Sequence, residues 1–197
     1  MNETALESIA ARSQRLKAAT HATHDRLDKT IMARDIFASR EKFAKFVRVQ
    51  YRFHRDIDAL YGNEALVALI PNLGERRRLL KIATDLSDLR QALPLPVPGK
   101  LDNGTSLPTA LGWLYVAEGS NLGGTILYKL ASQKLGLGSG LGASHLAAHP
   151  DGAARHWREF TKVLDSVPLS PAQEGEMVLG AEAAFRAVQG YVREEIG

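Results

Sequence analysis

The sequence predicts an all-α fold, a single-domain helical bundle of the whole chain, residues 1–197. Three observations carry this. Apolar residues recur at three- and four-residue spacing along nearly the whole chain, as in Leu16, Thr20, Leu27 and Ile31, then Phe43, Phe46, Val47 and Tyr51; this is the period of a helix with one buried face. No convincing run alternates apolar and polar residues as a half-buried strand does. Proline and glycine gather at 71–74, 94–106, 136–142 and 168–171, where they divide the periodic segments from one another.

Seven helices are expected, over 5–32, 39–60, 63–70, 75–91, 107–135, 151–165 and 171–195. The first carries the stripe Leu16, Thr20, Leu27 and Ile31. The second follows Ser39, whose hydroxyl can accept from the first free N–H groups of a helix beginning at Arg40. The short third ends at Pro71. The fourth opens with Glu75-Arg76-Arg77-Arg78, which reads as a solvated helix face or, alternatively, as an electrostatic contact for an acidic partner. The fifth follows Ser106, with Pro108 in its first turn. The sixth follows a glycine-rich connection, and the seventh follows Ser170, with Pro171 at its first position. No internal repeat relates them.

Composition narrows the function classes. Hydrophobic residues at 45% and charged residues at 24% match an ordinary globular core rather than a disordered chain. Cysteine is absent, which excludes disulfides and thiolate ligands, suits a reducing cytoplasm, and restricts any metal to histidine, carboxylate or backbone ligands. The segment 1–16 has no uninterrupted apolar stretch, so neither a secretory signal nor a membrane anchor is expected. Twenty-five Lys and Arg against 22 Asp and Glu leave +3, spread along the chain, which does not point to nucleic acid. The expectation is a cytoplasmic monomer.

Two segments carry candidate chemistry. In Thr20-His21-Ala22-Thr23-His24-Asp25-Arg26-Leu27, His24 stands three and seven residues from Leu27 and Ile31, which puts it on their inward stripe, whereas His21 shares its side with Lys17 and Asp28. A lone histidine on an apolar face is more often a hydrogen-bonded core residue than a ligand. Two features favour the ligand: Asp28 lies one turn on, where it can orient the imidazole, and Lys17 lies about 10 Å along the axis, positioned for carboxylates at the rim of a flat ligand. The second segment is Glu118-Gly119-Ser120-Asn121-Leu122-Gly123-Gly124-Thr125 within the fifth helix. Each interior glycine costs about 1 kcal/mol relative to alanine. Gly119 and Gly123, one turn apart, leave bare backbone that suits either a close helix crossing or the approach of a flat ligand.

The segment from Thr20 to Leu27, together with Leu111-Gly112-Trp113-Leu114-Tyr115-Val116-Ala117-Glu118-Gly119-Ser120-Asn121-Leu122-Gly123-Gly124, resembles bacterial haem oxygenases of the haem-iron-acquisition type. Arg12-Ser13-Gln14-Arg15-Leu16 and Phe37-Ala38-Ser39-Arg40 extend the resemblance over nearly the whole chain. It implies that haem is both substrate and cofactor, with molecular oxygen and electrons from a ferredoxin or reductase. His24 becomes the proximal iron ligand and Asp28 its partner, where the family more often has glutamate. Gly119, Ser120, Gly123 and Gly124 become the distal helix, which closes over the haem and bends at its glycines. Lys17 and Tyr115 hold the propionates, and Gln50 and His54 order the water that delivers protons. The product implied is biliverdin IXα, because Met32 and Leu130 stand where a minority branch carries propionate-holding bases.

Other readings leave discriminating marks. A di-iron bundle needs Glu-x-x-His on two helices, which the sequence lacks. A haem carrier, or a fold relative acting through protein contacts, shares the helical pattern but predicts no turnover or no haem binding. His145, His149 and His156, in or beside the glycine-rich connection, are expected to be partly exposed and without a site role. Trp113 and Trp157 are expected to be packing anchors. Residues 76–78 are one possible docking face for the electron donor.

Overall fold

The structure is a computed structural model that describes residues 10–197. Its α-helices are α1 (Arg12–Ala33), α2 (Arg40–Asp56), α3 (Glu64–Leu69), α4 (Leu79–Asp88), α5 (Leu107–Leu135), α6 (Ala153–Ser166) and α7 (Pro171–Glu195). Three short 3-10 turns, Asp58–Gly62, Leu73–Arg76 and Ser144–Leu146, lie between them. Residues 5–9 of the predicted first helix lie outside the described residues.

The starts follow their capping chemistry. Ser39 accepts from the Lys42 N–H, Ser106 from the Thr109 N–H, and Ser170 and Gln173 form a reciprocal capping box at the start of α7. Leu16, Thr20, Leu27 and Ile31 are the buried face of α1, as their spacing predicts.

Two expected helices differ. The second stops at Asp56 and continues as the 3-10 turn Asp58–Gly62. The fourth is not one helix over 75–91: the 3-10 turn Leu73–Arg76 is followed by extended backbone at Arg77, and α4 starts at Leu79. The break has a physical cause in its three arginines. Arg76 is buried against Glu118 of α5, Arg77 turns outward to grip both Asp58 oxygens at 2.7 Å, and Arg78 reaches the carbonyls of His145 and Ala147. One helix face does not serve partners in three directions, so the solvated-face expectation for 76–78 is corrected here.

Helix α7 is the spine of the bundle, packing against α5, α2 and α1. Its crossing with α5 is backbone on backbone. A Cβ at Gly112 would collide with the Met177 carbonyl and lie 2.7 Å from the Ala181 nitrogen, and one at Gly180 would lie 2.7 Å from the Thr109 carbonyl. Ion pairs fasten both ends of α7: Arg12 and Arg15 to Glu174, and Arg48 and Arg52 to Glu195. Helices α1 and α5 each pack on α6 and α7 but not comparably on one another, so the two candidate segments are braced apart. Among the described residues no helix is long and apolar enough to cross a membrane.

Candidate functional site

On α1, the His24 side chain is 52% exposed. It shares a side with buried Leu27 and Ile31, and the Phe185 ring of α7 stands edge-on to it at 5.9 Å. The expectation of a buried imidazole is thus corrected, since about half of the side chain is open to solvent. Its Nδ1 lies 3.5 Å from an Asp28 oxygen and 3.9 Å from Asp25. Orientation through Nδ1 leaves Nε2 for an external ligand, which is how metal-bound imidazoles are held. His21 is more exposed and turns its Nε2 towards Asp25 at 3.6 Å.

Tyr115 of α5 is buried, its ring 5.4 Å from that of Trp157. Burial pushes its phenol pKa up, and a hydrogen bond with Thr20 works the other way. Thr20, one turn before His24, is buried on α1 and donates its hydroxyl to the Leu16 carbonyl at 2.8 Å. Lys17, three residues before Thr20, is exposed.

Helix α5 is helical throughout its glycines, and Gly119, Gly123 and Gly124 all keep negative φ. Their environments differ. A Cβ at Gly123 would meet nothing within 4 Å, and one at Gly119 would touch only the Trp157 ring at 3.8 Å. Ile126, three residues after Gly123, is also largely exposed. Gly124 faces Leu146 at 3.5 Å and belongs to a packing contact instead. Ser120 is exposed and donates to the Ala117 carbonyl at 2.8 Å. The close helix crossing weighed for this strip is made about two turns upstream by Gly112 with Gly180, leaving Gly123 open and Gly119 against the Trp157 ring. The exposed imidazole beside Asp28 on α1 and the open backbone at Gly123 on α5 are the two surface features that the sequence singled out.

Behind α5 lies a buried polar layer. His54 is 2% exposed, and its Nδ1 has no protein partner. Burial first, then the charges of Arg78 and His145, push its pKa down to about 3, so the ring stays neutral near pH 7. Gln50 is half-buried one turn earlier on α2. Arg76, 4% exposed, binds Glu118 at 2.6 Å and the His156 carbonyl at 3.2 Å. Burial raises the Glu118 pKa, partly offset by Arg76. With Arg76 and Arg78 turned inward, the run 76–78 does not form the donor-docking face considered above.

His145 also departs from expectation. It is 3% exposed, and its Nδ1 lies 2.7 Å from Asp85, which also accepts from the Ser144 and His145 N–H groups. The sequence does hold a signal for this pair: Asp85 interrupts the apolar stripe Ile82, Leu86 and Leu89, and a carboxylate there requires a buried partner. Glu118 gives the same signal at the end of the apolar run 111–117. His149 and His156 stack at 3.8 Å between ring centroids and remain partly exposed. Trp113 stacks on Phe53 in the core. Among the described residues, no group of three or more His, Asp or Glu side chains could hold a metal ion, so the di-iron arrangement is not formed there.

The family model described as Heme oxygenase matches residues 10–93 and 99–194. The chain is 41% identical over 174 residues to Heme oxygenase PigA of Pseudomonas aeruginosa, covering 88% of this chain and 87% of the relative. It is 34% identical over 111 residues to a heme oxygenase of Xanthomonas campestris, covering 56% and 64% of the two chains. Among solved structures, the NO- and CO-bound heme oxygenase of Neisseria meningitidis superposes with a TM-score of 0.87 at 38% identity, over 95% of this chain and 92% of that one. Heme oxygenase-1 of the cyanobacterium Synechocystis in complex with heme, 18% identical with a TM-score of 0.73 over 94% and 92% of the chains, shares the fold.

Proposed function

The chain belongs to the heme oxygenase family, and from that membership we propose how its own residues divide the work of degrading haem to biliverdin. The observation that carries the assignment is His24: an imidazole left open on an otherwise buried stripe, with Asp28 beside Nδ1. His24 holds the iron through Nε2, and Asp28 fixes the tautomer and ring angle. Bound haem supplies both the iron centre that activates molecular oxygen and the ring that is cleaved, with electrons from a ferredoxin or flavoprotein reductase.

The remaining residues seat the macrocycle and manage protons. Gly119 and Gly123 let the α5 backbone approach its face, as only residues without a Cβ permit. Ser120 and Gly124 flank that strip, Ser120 on the solvent side and Gly124 against Leu146. Lys17 and the Tyr115 hydroxyl bind the propionates from the Thr20 side of α1. Met32 and Leu130 offer no competing cation, which favours the seating that gives biliverdin IXα. Gln50 and the neutral His54 ring hold water without placing a strong acid beside the reacting centre. The enzyme acts as a cytoplasmic monomer supplying iron from haem.

Anaerobic haem titration followed by single turnover with reductant and oxygen tests this reading. The expected result is stoichiometric binding, then loss of the Soret band and appearance of a biliverdin spectrum. A Soret band that persists under oxygen and reductant identifies a carrier instead. Equal haem affinity and spectrum in His24→Ala overturns the ligand assignment.

A further inference from the structure

Helices α1 and α7 meet at two places. Arg12 and Arg15 pair with Glu174, and the His24 ring meets the ring of Phe185. From Arg15 to His24 is about two and a half turns of α1, and from Glu174 to Phe185 about three turns of α7. The two helices therefore run in the same direction, and the ion pairs at one end set the register of the ring contact at the other.

Phe185 is held from its own side as well. It is 4% exposed and lies among buried Ala181, Ala184 and Val188. Between its two contacts with α1, helix α7 touches α5 backbone on backbone: a Cβ at Gly180 would lie 2.7 Å from the Thr109 carbonyl. Sliding α7 along α1 would break that crossing, so the Phe185 ring is a fixed object against which a mobile one can be set.

The carboxylate beside His24 is a looser restraint. Asp28 stands 3.5 Å from Nδ1 with its side chain 60% exposed, and Asp25 stands 3.9 Å from the same nitrogen. A carboxylate there favours the proton on Nδ1, but at that distance it leaves the ring room to turn. An edge-on aromatic neighbour restrains differently. The positive edge of one ring sits against the negative face of the other, so the attraction depends on the angle between the planes. That angle is 85° at a centroid separation of 5.9 Å.

We propose that Phe185 is a positioning residue for the haem ligand, its ring setting the plane of the His24 imidazole while Asp28 sets the tautomer. The proposal rests on the haem oxygenase reading for the iron, whereas the ring contact belongs to the haem-free chain. An axial imidazole keeps one freedom that the metal does not remove, rotation about the bond from Nε2 to iron. Restricting it gives the iron unequal surroundings along two directions of the macrocycle, one of the ways in which a protein tunes its haem.

Proton NMR of the full haem-free chain tests the contact. Nuclear Overhauser cross-peaks are expected between the ring protons of His24 and Phe185. Their absence overturns the proposal without bearing on His24 as the iron ligand. In the ferric haem complex with cyanide added, the order and spread of the hyperfine-shifted haem methyl resonances report the plane of the axial imidazole. Phe185→Leu keeps apolar bulk and loses the ring; it is expected to change that pattern while haem affinity falls no more than about tenfold. Phe185→Tyr keeps the ring and is expected to retain the parent pattern. A parent-like pattern in Phe185→Leu, or an equal change in both variants, overturns the proposal. If the leucine variant does not fold, the cross-peaks in the native chain decide. An unchanged haem spectrum in His24→Ala rejects the ligand reading itself, and the positioning role with it, even where the ring contact is present.

Discussion

In the proposed assignment, His24 is oriented by one Asp28 oxygen 3.5 Å from Nδ1. Glutamate would span this gap more easily than the shorter Asp28, so orientation here relies on the turn of α1 that brings the two together. Replacing an outer carboxylate of this kind lowers metal affinity or activity about 10- to 100-fold. Both side chains are solvent-facing in the haem-free chain, so Asp28→Asn is expected at the lower end, about tenfold weaker haem binding by titration. Asp28→Glu should restore it, and equal affinity in all three chains would remove Asp28 from the site. His24, Asp28, Gly119 and Gly123 can be singled out from the sequence because spacing along one helix groups them, but the exposure of His24 could not be read that way. Arg76 and His145 cannot be singled out, because their partners, Glu118 and Asp85, are 42 and 60 residues away. Three consecutive arginines look the same in sequence whether they face water or a buried carboxylate.

At the scale of elements, α5 uses its glycines for two different purposes. At Gly112 it touches the α7 backbone, whereas at Gly123 it touches nothing. Gly112→Ala must therefore push α5 from α7 and destabilise the fold by roughly 1–3 kcal/mol or more, as overpacking does. Gly123→Ala should stabilise the haem-free chain by about 0.5–1 kcal/mol through helix propensity while weakening haem binding. Urea unfolding and haem titration on the two variants separate these roles; if Gly123→Ala binds haem as tightly as the parent, that strip does not approach the ligand. The same comparison applies to the arginine break before α4. Arg76→Ala leaves Glu118 buried and uncompensated, at a cost of roughly 3–5 kcal/mol, whereas Arg77→Ala removes an exposed pair with Asp58 worth about 0–1 kcal/mol. Similar thermal shifts for the two would show that Arg76 is not the buried anchor. This break is also where helix prediction fails, since periodicity continues through 75–91 while the ion pairs force the backbone to turn.

For the whole molecule, the helical class and most boundaries follow from period and capping alone, because each helix carries its own apolar stripe and its own start signal. The packing of α5 and α7 on one another does not, since it depends on two glycines 68 positions apart (180 − 112) meeting in space. The buried polar layer makes stability depend on pH. Unfolded histidine takes up a proton near pH 6.5, but His54 in the fold resists until about 3, and burial moves His145 in the same direction. Between these limits the unfolded chain binds more protons, so stability is greatest above pH 6.5 and falls as the pH drops. Each such histidine contributes a slope of about 1.4 kcal/mol per pH unit. Glu118, whose folded pKa is raised, opposes this slope where it titrates. His54 alone should therefore cost about 2 kcal/mol between pH 6.5 and 5. His54→Gln should flatten the pH dependence of urea unfolding by that amount, even if its stability at pH 7 is lower. A slope as steep in the variant as in the parent would mean that the fold does not hold this ring neutral, and acid sensitivity would then have to arise elsewhere in the layer.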